Sequence, residues 1–371
     1  MPYCIPYLFV VIAKHNMIMP TTIKMLKADI GDAFIIDVKE KEESFTMVVD
    51  GGPRRSMRMV VPELEALEKI DLMVLTHYDS DHIGGILEYL TTNKEKAKSI
   101  IKYWINCPHI RVRVDNKASA SEMATLITFF EQLEAEGAEV DWRDEVLQGM
   151  PYTSPNGLVK LEVITPTPES RKLNEEAYDK DMEKRKISAA RVVKDFETPL
   201  EELAKRKTPS SKQVVNNASI SFLMETPDCK ILMLGDVQSG DVYKYLTELR
   251  KGEKYSKEHK LKVDYVKVPH HGSRYNLTSN LLDIIDCDNY LVSTCGGEEV
   301  AEGKNAKYNH PDRMTIAKIL LHDGRNKENK INLYFNYNNA DFEARNTFLF
   351  HQAELENTDL KFEPKWDTTK I

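Results

Sequence analysis

The chain has 371 residues, a formal net charge of −8 and a pI of about 5.8, with 41% hydrophobic and 30% charged residues. That is chain enough for one large or two ordinary globular domains, and the acidic balance argues against general electrostatic attraction to nucleic acid, leaving room only for a local basic groove. No stretch reaches the roughly 18 apolar residues that a bilayer span needs, so no stable membrane association is expected. The five cysteines (Cys4, Cys107, Cys229, Cys287 and Cys295) contain no Cys-x-x-Cys pair and read as small buried residues in a reducing, cytoplasmic compartment.

Residues 1–18 carry a short apolar run, Tyr7 to Ala13, with no basic stretch ahead of it and no small-residue cleavage site. They read as a misassigned start before Met19, or as a leader. Thr22–Ala28 and Ala33–Val38 are predicted strands around an Asp29-Ile30-Gly31-Asp32 turn. Phe45–Val49 is a third strand, ending at Asp50-Gly51-Gly52-Pro53. Pro62–Ile70 reads as a helix with Pro62 in its first turn. The apolar run Leu72–Leu75 reads as a buried parallel strand. After it comes Thr76-His77-Tyr78-Asp79-Ser80-Asp81-His82-Ile83-Gly84-Gly85, then a helix from Gly84 to Leu90.

Ile100–Ile105 is a predicted strand. Ser121–Ala135 has the helical spacing of a packed face, with Met123, Leu126, Phe130 and Leu133 in register. Leu158–Ile164 is a strand ending at Thr165-Pro166. From Glu169 to about Gln213 the chain turns rich in Lys, Arg and Glu. This run reads as a helical insertion, with Thr198 capping a helix that starts near Pro199. Its charge reads as a solvated face, and its functional reading is a lid over the site. Ile220–Met224 and Lys230–Leu234 form a predicted hairpin that ends at Gly235-Asp236. Val242–Arg250 is helical, Lys262–Val268 is a strand running into Pro269-His270-His271-Gly272-Ser273, and Asn289–Ser293 is a strand. Asn309-His310-Pro311 opens a helix through about Leu321, and Ile331–Tyr337 begins the closing strands.

The chemistry sits where strands stop. His77, Asp79, Asp81 and His82 put four metal-capable side chains within six residues, directly after a buried strand. Imidazole and carboxylate together are the ligands that hold divalent cations for hydrolytic work. Asp50, Asp236 and the His270-His271 pair each follow a strand in the same way. A lone Asp after a strand means little, but these pieces in this order describe a site for one or two cations that activate a water and clamp a phosphoryl or carbonyl oxygen.

These motifs resemble a metallo-β-lactamase-fold hydrolase, of the branch similar to the hydrolase domain of the ComEC competence protein. The resemblance rests on Asp29 to Ala33, Asp50-Gly51-Gly52, Thr76 to Gly85, Asn216-Asn217-Ala218-Ser219, Leu234-Gly235-Asp236, Lys267 to Arg274 and Tyr308 to Pro311, and it covers about residues 20–340. It implies an α/β (α+β) chain folded as a four-layered αββα sandwich over residues 19–371, with the charged insertion at about 169–213. His77 and Asp79 would serve a first metal. Asp81, His82 and either His270 or His271 would serve a second, with His270, nearer its strand, the first choice. Asp236 would bridge. Asp50 would orient the cluster or bind, and Asn217 or Ser219 would contact a metal through water. His310 would transfer a proton or bind substrate, beside Asp81 in the catalytic set, and Ser219, Ser273 and Arg274 would contact an anionic substrate.

Two departures from the superfamily pattern shape the expected cofactor. Asp79 stands where a His is usual, and Asn216-Asn217-Ala218-Ser219 stands where a third His motif is usual. The resulting oxygen-rich site favours manganese, with zinc or magnesium as alternatives. The expected activity is that of a phosphodiesterase or nuclease using a metal-activated water on DNA, RNA or another phosphate-containing substrate. The alternatives on the same fold are hydrolysis of a small ester, lactone, thioester or nucleotide, iron oxidoreduction, and a non-catalytic binding subunit. The branch also occurs beside other enzymes in bacterial operons, which implies a partner protein.

Overall fold

The computed structural model describes residues 20–107, 118–181, 195–211, 213–298 and 309–371. The expectation about residues 1–18 and the middle of the charged insertion lie outside them. Five strands form the first sheet in the order β1-β2-β3-β4-β5: β1 Thr21–Met25, β2 Phe34–Glu40, β3 Glu43–Val49, β4 Leu72–Leu75 and β5 Lys102–Ile105. The later strands are β6 Pro151–Thr153, β7 Lys160–Thr165, β8 Ser221–Glu225, β9 Lys230–Met233, β10 Leu261–Lys262, β11 Tyr265–Lys267, β12 Ile285–Asp286, β13 Asn289–Val292, β14 Ile331–Phe335 and β15 Phe362–Lys365. Eight of them make the second sheet, β15-β14-β13-β11-β9-β8-β7-β6, while β10 pairs with β12 alone.

Alternation along each strand sends side chains to both faces, and both faces are apolar. Ile36 of β2, Met47 of β3, Val74 of β4 and Trp104 of β5 meet Phe222, Met224, Ile231 and Leu291 from the second sheet in one buried cluster. Their neighbours Ile35, Val48, Met73 and Tyr103 point the other way, into a cluster with Val60, Ile86, Leu90, Leu126 and Phe130. Those residues come from helices α1 (Met57–Glu65), α2 (Ser80–Thr92) and α4 (Ala118–Ala135), while α3 (Lys94–Ser99) leads into β5. On the far side, Leu223, Leu232, Tyr290 and Leu333 pack on Leu203, Val242, Leu281, Ile316 and Leu320. These belong to α6 (Leu200–Lys205), α8 (Ser239–Lys244), α9 (Ser279–Asp283) and α10 (Arg313–Leu321). Three apolar interfaces therefore separate four layers, helix–sheet–sheet–helix, the αββα sandwich expected from the sequence. Among the described residues no helix is long and apolar enough to cross a membrane.

The C-terminus completes the first sheet. Ile371 and Ile23 exchange backbone hydrogen bonds of 2.9 Å in both directions, so the exposed edge of β1 is covered by the chain's own tail.

Three expected elements differ. α1 begins at Met57, led in by a turn over Arg54–Ser56, so Pro62 sits inside the helix rather than in its first turn. Burial of Val60 and Leu64, four residues apart on one face, sets the helix, and Pro62 is tolerated on the exposed side at the loss of one backbone hydrogen bond. Lys262–Val268 is not one strand. Its first half pairs with β12 and its second half enters the large sheet between β9 and β13. Thr198 does not cap α6; Pro199 holds that position without a side-chain bond. The charged run contains α5 (Pro168–Asp181), α6 and a short α7 (Val214–Asn217).

Candidate metal centre

Strand direction places the site. β3, β4 and β5 run parallel, as do β9, β11, β13 and β14, so the ends of these strands lie along one edge of the sandwich. Loops leaving such ends are where open α/β sheets bind ligands. They carry Asp50 after β3, His77 to His82 after β4, Asp236 after β9 and His270-His271 after β11. β2 and β8 are antiparallel to their neighbours, so the residues entering them reach the same edge: Asp32 ahead of β2, and Asn216 to Ser219 ahead of β8. The Ile220 amide donates to the Thr76 carbonyl at 2.8 Å, tying the two sheets together at this edge.

α2 delivers the densest motif. Asp79 is its N-cap residue, yet its carboxylate does not cap the helix; Oδ2 lies 3.7 Å from His77 Nε2. Asp81 and His82 occupy the first turn. The helix is pressed backbone to backbone onto the Asp50 loop. A Cβ on Gly85 would stand 2.0 Å from the Gly51 carbonyl oxygen, so glycine is required for this approach.

Four histidines are held by Nδ1 and present Nε2 to a common space. His82 Nδ1 donates to Asp50 Oδ2 at 2.8 Å. Asp50 is anchored in turn by the Thr76 amide and hydroxyl, both at 2.7 Å. Because the Thr76 hydroxyl proton goes to Asp50, its oxygen accepts from His77 Nδ1 at 3.1 Å. His270 Nδ1 donates to Asn276 Oδ1 at 3.0 Å, and His271 Nδ1 to the Ser293 carbonyl at 2.9 Å. His270 and His271 both have left-handed backbones, φ 50° and 54°, strained for side-chain-bearing residues, and this turns two consecutive imidazoles inward.

Asp236 Oδ2 is the focus. His82 Nε2 lies 3.4 Å from it, and His270 and His271 Nε2 each lie 3.7 Å away. Asp81 Oδ2 stands 3.4 Å from His271 Nε2 and 4.0 Å from His82 Nε2. Ligand atoms of Asp32, His82, Asp236 and His271 all fall within 4.8 Å of one another. The tight group thus holds His271, the second choice of the sequence reading, while His270 approaches Asp236 from the side facing His310, whose ring is 5.5 Å from its own.

Asp32 and Lys267 were not read as site residues. Lys267 is fully buried, ion-paired with Asp32, 3.6 Å from Asp236 Oδ1, and donates to the Gly235 carbonyl at 2.9 Å. The alternation of the strand does not say whether Lys267 points inward or outward, and its partner is distant in sequence.

The remaining candidates fall around this core. Asn216 donates to Asp236 Oδ2 at 3.4 Å, whereas the Asn217 side-chain oxygen is buried without a hydrogen-bond partner among the described residues. Ser219 is fully buried and its Oγ accepts from the Asp236 amide at 3.3 Å, bracing that turn from beneath. Ser273 is also buried. Arg274 is ion-paired with Asp195 and Asp312 rather than turned outward.

Electrostatics follow from burial and crowding. Burial raises Asp32, but Lys267 and then His271 outweigh it and hold the carboxyl at about 2. Burial also works against ionised Asp236 and Asp81, yet the surrounding imidazoles hold both below their ordinary range. Burial by itself lowers His271; Asp32 and Asp236 overcome it and push the ring up to about 10. His82 is likewise carried well above its ordinary value by Asp236 and Asp50 against the effect of burial. His77 and His270, where burial dominates, fall to about 3 and about 4 and are neutral near pH 7.

A divalent cation fits this donor set. Among the described residues, Nε2 of His77, His82 and His271 and Oδ1 of Asp236 are buried with no hydrogen-bond partner. Such orphans are costly unless something satisfies them. His82, His271, Asp81 and Asp236 would hold one ion, with His77, Asp79 and His270 reaching toward a second. A cation there would lower the pKa of a coordinated water and polarise a substrate oxygen. Because ligation needs neutral imidazole, loading the protein must displace the protons that the carboxylates keep on His271 and His82. Calorimetric titration with zinc near pH 7.5, in buffers of different ionisation enthalpy, will show release of about one to two protons. No buffer dependence would mean that these rings are already neutral.

A sequence profile described as the metallo-beta-lactamase superfamily matches residues 26–296. Among solved structures, the chain is similar to a metallo-beta-lactamase with a HARLDQ motif from Cronobacter sakazakii (Enterobacter sakazakii). The identity is 12% and the TM-score 0.25, over 58% of this chain and 63% of that one. It is also similar to a mutant of the CmlA beta-hydroxylase, at 9% identity and a TM-score of 0.38, over 95% of this chain and 53% of the other. This chain therefore spans less than two thirds of the length of either. No curated protein matches it.

Proposed function

Because the chain belongs to the metallo-beta-lactamase superfamily, we propose that it is a metal-dependent hydrolase of phosphodiesters, of the branch similar to the ComEC hydrolase domain. The observation that carries this reading is the convergence of His82, His270 and His271 Nε2 on Asp236 Oδ2, with Asp81 beside them. An acidic cradle for cations suits a substrate whose phosphate oxygens complete the coordination. Asp79 at the first position and an amide, Asn216, beside Asp236 make the donor set richer in oxygen than a three-histidine site, which favours manganese.

His310, at the rim beside His270, is placed to hand a proton to the leaving oxygen. Arg54 and Arg55 stand exposed on the turn leaving the Asp50 loop, paired with Glu88 and with Asp29 and Glu298, and Arg58 is exposed on α1; an anionic substrate would compete with those carboxylates for the guanidinium groups. The net charge of −8 favours a nucleotide or short oligonucleotide over a long duplex as substrate.

The test is a metal-reconstituted screen. Purified protein loaded with manganese, zinc or magnesium is offered a generic phosphodiester, single-stranded DNA and double-stranded DNA, beside an Asp81→Ala control. Manganese-dependent cleavage that disappears together with bound metal in Asp81→Ala is the expected outcome. Bound metal without cleavage of any of the three would remove the phosphodiesterase reading and turn attention to lactones and other small esters. Cleavage that persists in metal-free Asp81→Ala would remove the metal-dependent mechanism altogether.

A further inference from the structure

Arg274 follows the His270-His271 turn, and its surroundings assign it a different task from meeting substrate. Its side chain is 12% exposed. Its backbone N–H donates to Asp312 Oδ2 at 2.9 Å and its Nε to Asp312 Oδ1 at 2.8 Å, a two-point grip on one carboxylate. In return the Asp312 amide donates to the Gly272 carbonyl at 2.9 Å. Asp312 is the N-cap residue of α10, yet its side chain makes no cap bond; Arg274 takes it instead. The other end of the guanidinium pairs with Asp195, which also accepts from Arg206 Nη1 at 3.2 Å.

Both ends of this chain of charges lead somewhere. At one end, Asp312 Oδ2 lies 3.4 Å from His310 Nδ1, and the His310 ring stands beside His270. The contact surface is tight: a Cβ on Gly272 would meet Pro311 at 2.4 Å. At the other end, Asp195 begins the described last part of the charged insertion. That part is fixed to the body of the protein. Arg313 Nη2 donates to the Thr198 carbonyl at 3.3 Å, His351 Nε2 meets the Phe196 carbonyl at 2.6 Å, and Gln238 Nε2 donates to the Ser211 carbonyl at 2.9 Å.

We propose that Asp195, Arg274 and Asp312 form a positioning chain through which the insertion fixes His310 beside the metal centre. Arg274 is a positioning residue, and the anchored insertion is part of the site's scaffold. The effect on catalysis rests on the function proposed above; the geometry of the chain does not. Asp195→Asn weakens the contacts of Asp195 with Arg274 and Arg206 and leaves the grip of Arg274 on Asp312. Arg274→Lys keeps the charge but cannot span two carboxylates.

The experiment uses zinc-loaded full-length protein with ¹³C-labelled histidine, the His310 signal being assigned by its loss in His310→Gln. In Asp195→Asn and Arg274→Lys the His310 imidazole signal will shift or broaden while those of His82 and His271 stay in place. Bound zinc and the melting temperature will remain close to wild type. If wild type cleaves a phosphodiester, both variants will lose about ten-fold or more in kcat with KM little changed, as expected for a misplaced proton donor. An unmoved His310 signal in both variants would overturn the proposal. So would a joint shift of all the site histidines with loss of zinc, which would make Arg274 a general structural support. Because the spectra need no substrate, a wild type that cleaves nothing tells against the proposed function alone.

Discussion

Asp236→Asn will cost the protein at least about a hundredfold in affinity for manganese or zinc while leaving the fold intact. Among the described residues, Asp236 is the one carboxylate that three imidazole Nε2 atoms approach, at 3.4, 3.7 and 3.7 Å, and it is fully buried. Asparagine preserves its size and the contact with Asn216 but removes the charge that a cation must meet. Asp50→Asn offers the contrast. Asp50 touches no substrate space; it holds His82 by Nδ1 and is itself held by Thr76. Loss of such an orienting partner costs a metal site about 10- to 100-fold. Calorimetric titration of both variants against wild type separates the two roles. If Asp236→Asn binds as tightly as Asp50→Asn, Asp236 is not a ligand, and the centre must be rebuilt around Asp81 and His271.

The same variant predicts a second change. Asp236 is the leading charge that lifts His82 above its ordinary value against burial. In metal-free Asp236→Asn the His82 ring will therefore titrate at lower pH than in wild type, which histidine NMR reads directly. The direction follows from removing an anion: a protonated imidazole loses more stabilisation than a neutral one.

Why some of this site was legible in the sequence and some not is a matter of range. His77, Asp79, Asp81 and His82 lie within one loop and its helix turn, so their meaning is local. Asp50 and Asp236 each follow an apolar strand, and the strand predicts the edge to which they are delivered. The four layers were implied by the family resemblance, and the structure bears them out with strands of two apolar faces, as Ile35 and Ile36 of β2 show by entering different clusters. His270 against His271 was not decidable by spacing, because both adopt left-handed backbone and both rings turn inward. Asp32 lies in the Asp29-to-Ala33 stretch that carries the resemblance, but nothing local gives it a role in the site. An Asp in a Gly-containing turn is ordinary, and only the buried Lys267 of a distant strand gives it a role. Arg274 misled for the same reason: beside two histidines it reads as an anion binder, and the two carboxylates that claim it come from the charged insertion and from the start of α10.

Lys267→Met makes that long-range pairing measurable. The change removes the ammonium and leaves the His271 ring, 3.2 Å away, as the remaining cationic partner of buried Asp32, and breaking a buried pair from one side destabilises by up to about 3–5 kcal/mol. Chelator is kept present so that no bound ion substitutes for the ammonium. In wild type the Asp32 carboxyl sits at about 2, below its ordinary value. Its share of stability is therefore fully present above about pH 4 and is lost as pH falls toward 2. Lys267 is the largest influence opposing burial there, so without it the Asp32 pKa rises. The variant then takes up a proton on Asp32 at a pH where wild type does not, and its deficit shrinks as the solution is acidified from about 7 toward 4. Lys267→Met/Asp32→Asn, which removes both charges, will recover most of the loss at neutral pH. Urea melts of the three proteins at about pH 7 and pH 4.5 decide the matter. A single variant as stable as wild type at neutral pH, or a deficit that widens on acidification, would show that the Asp32–Lys267 pair does not hold this edge of the sandwich together.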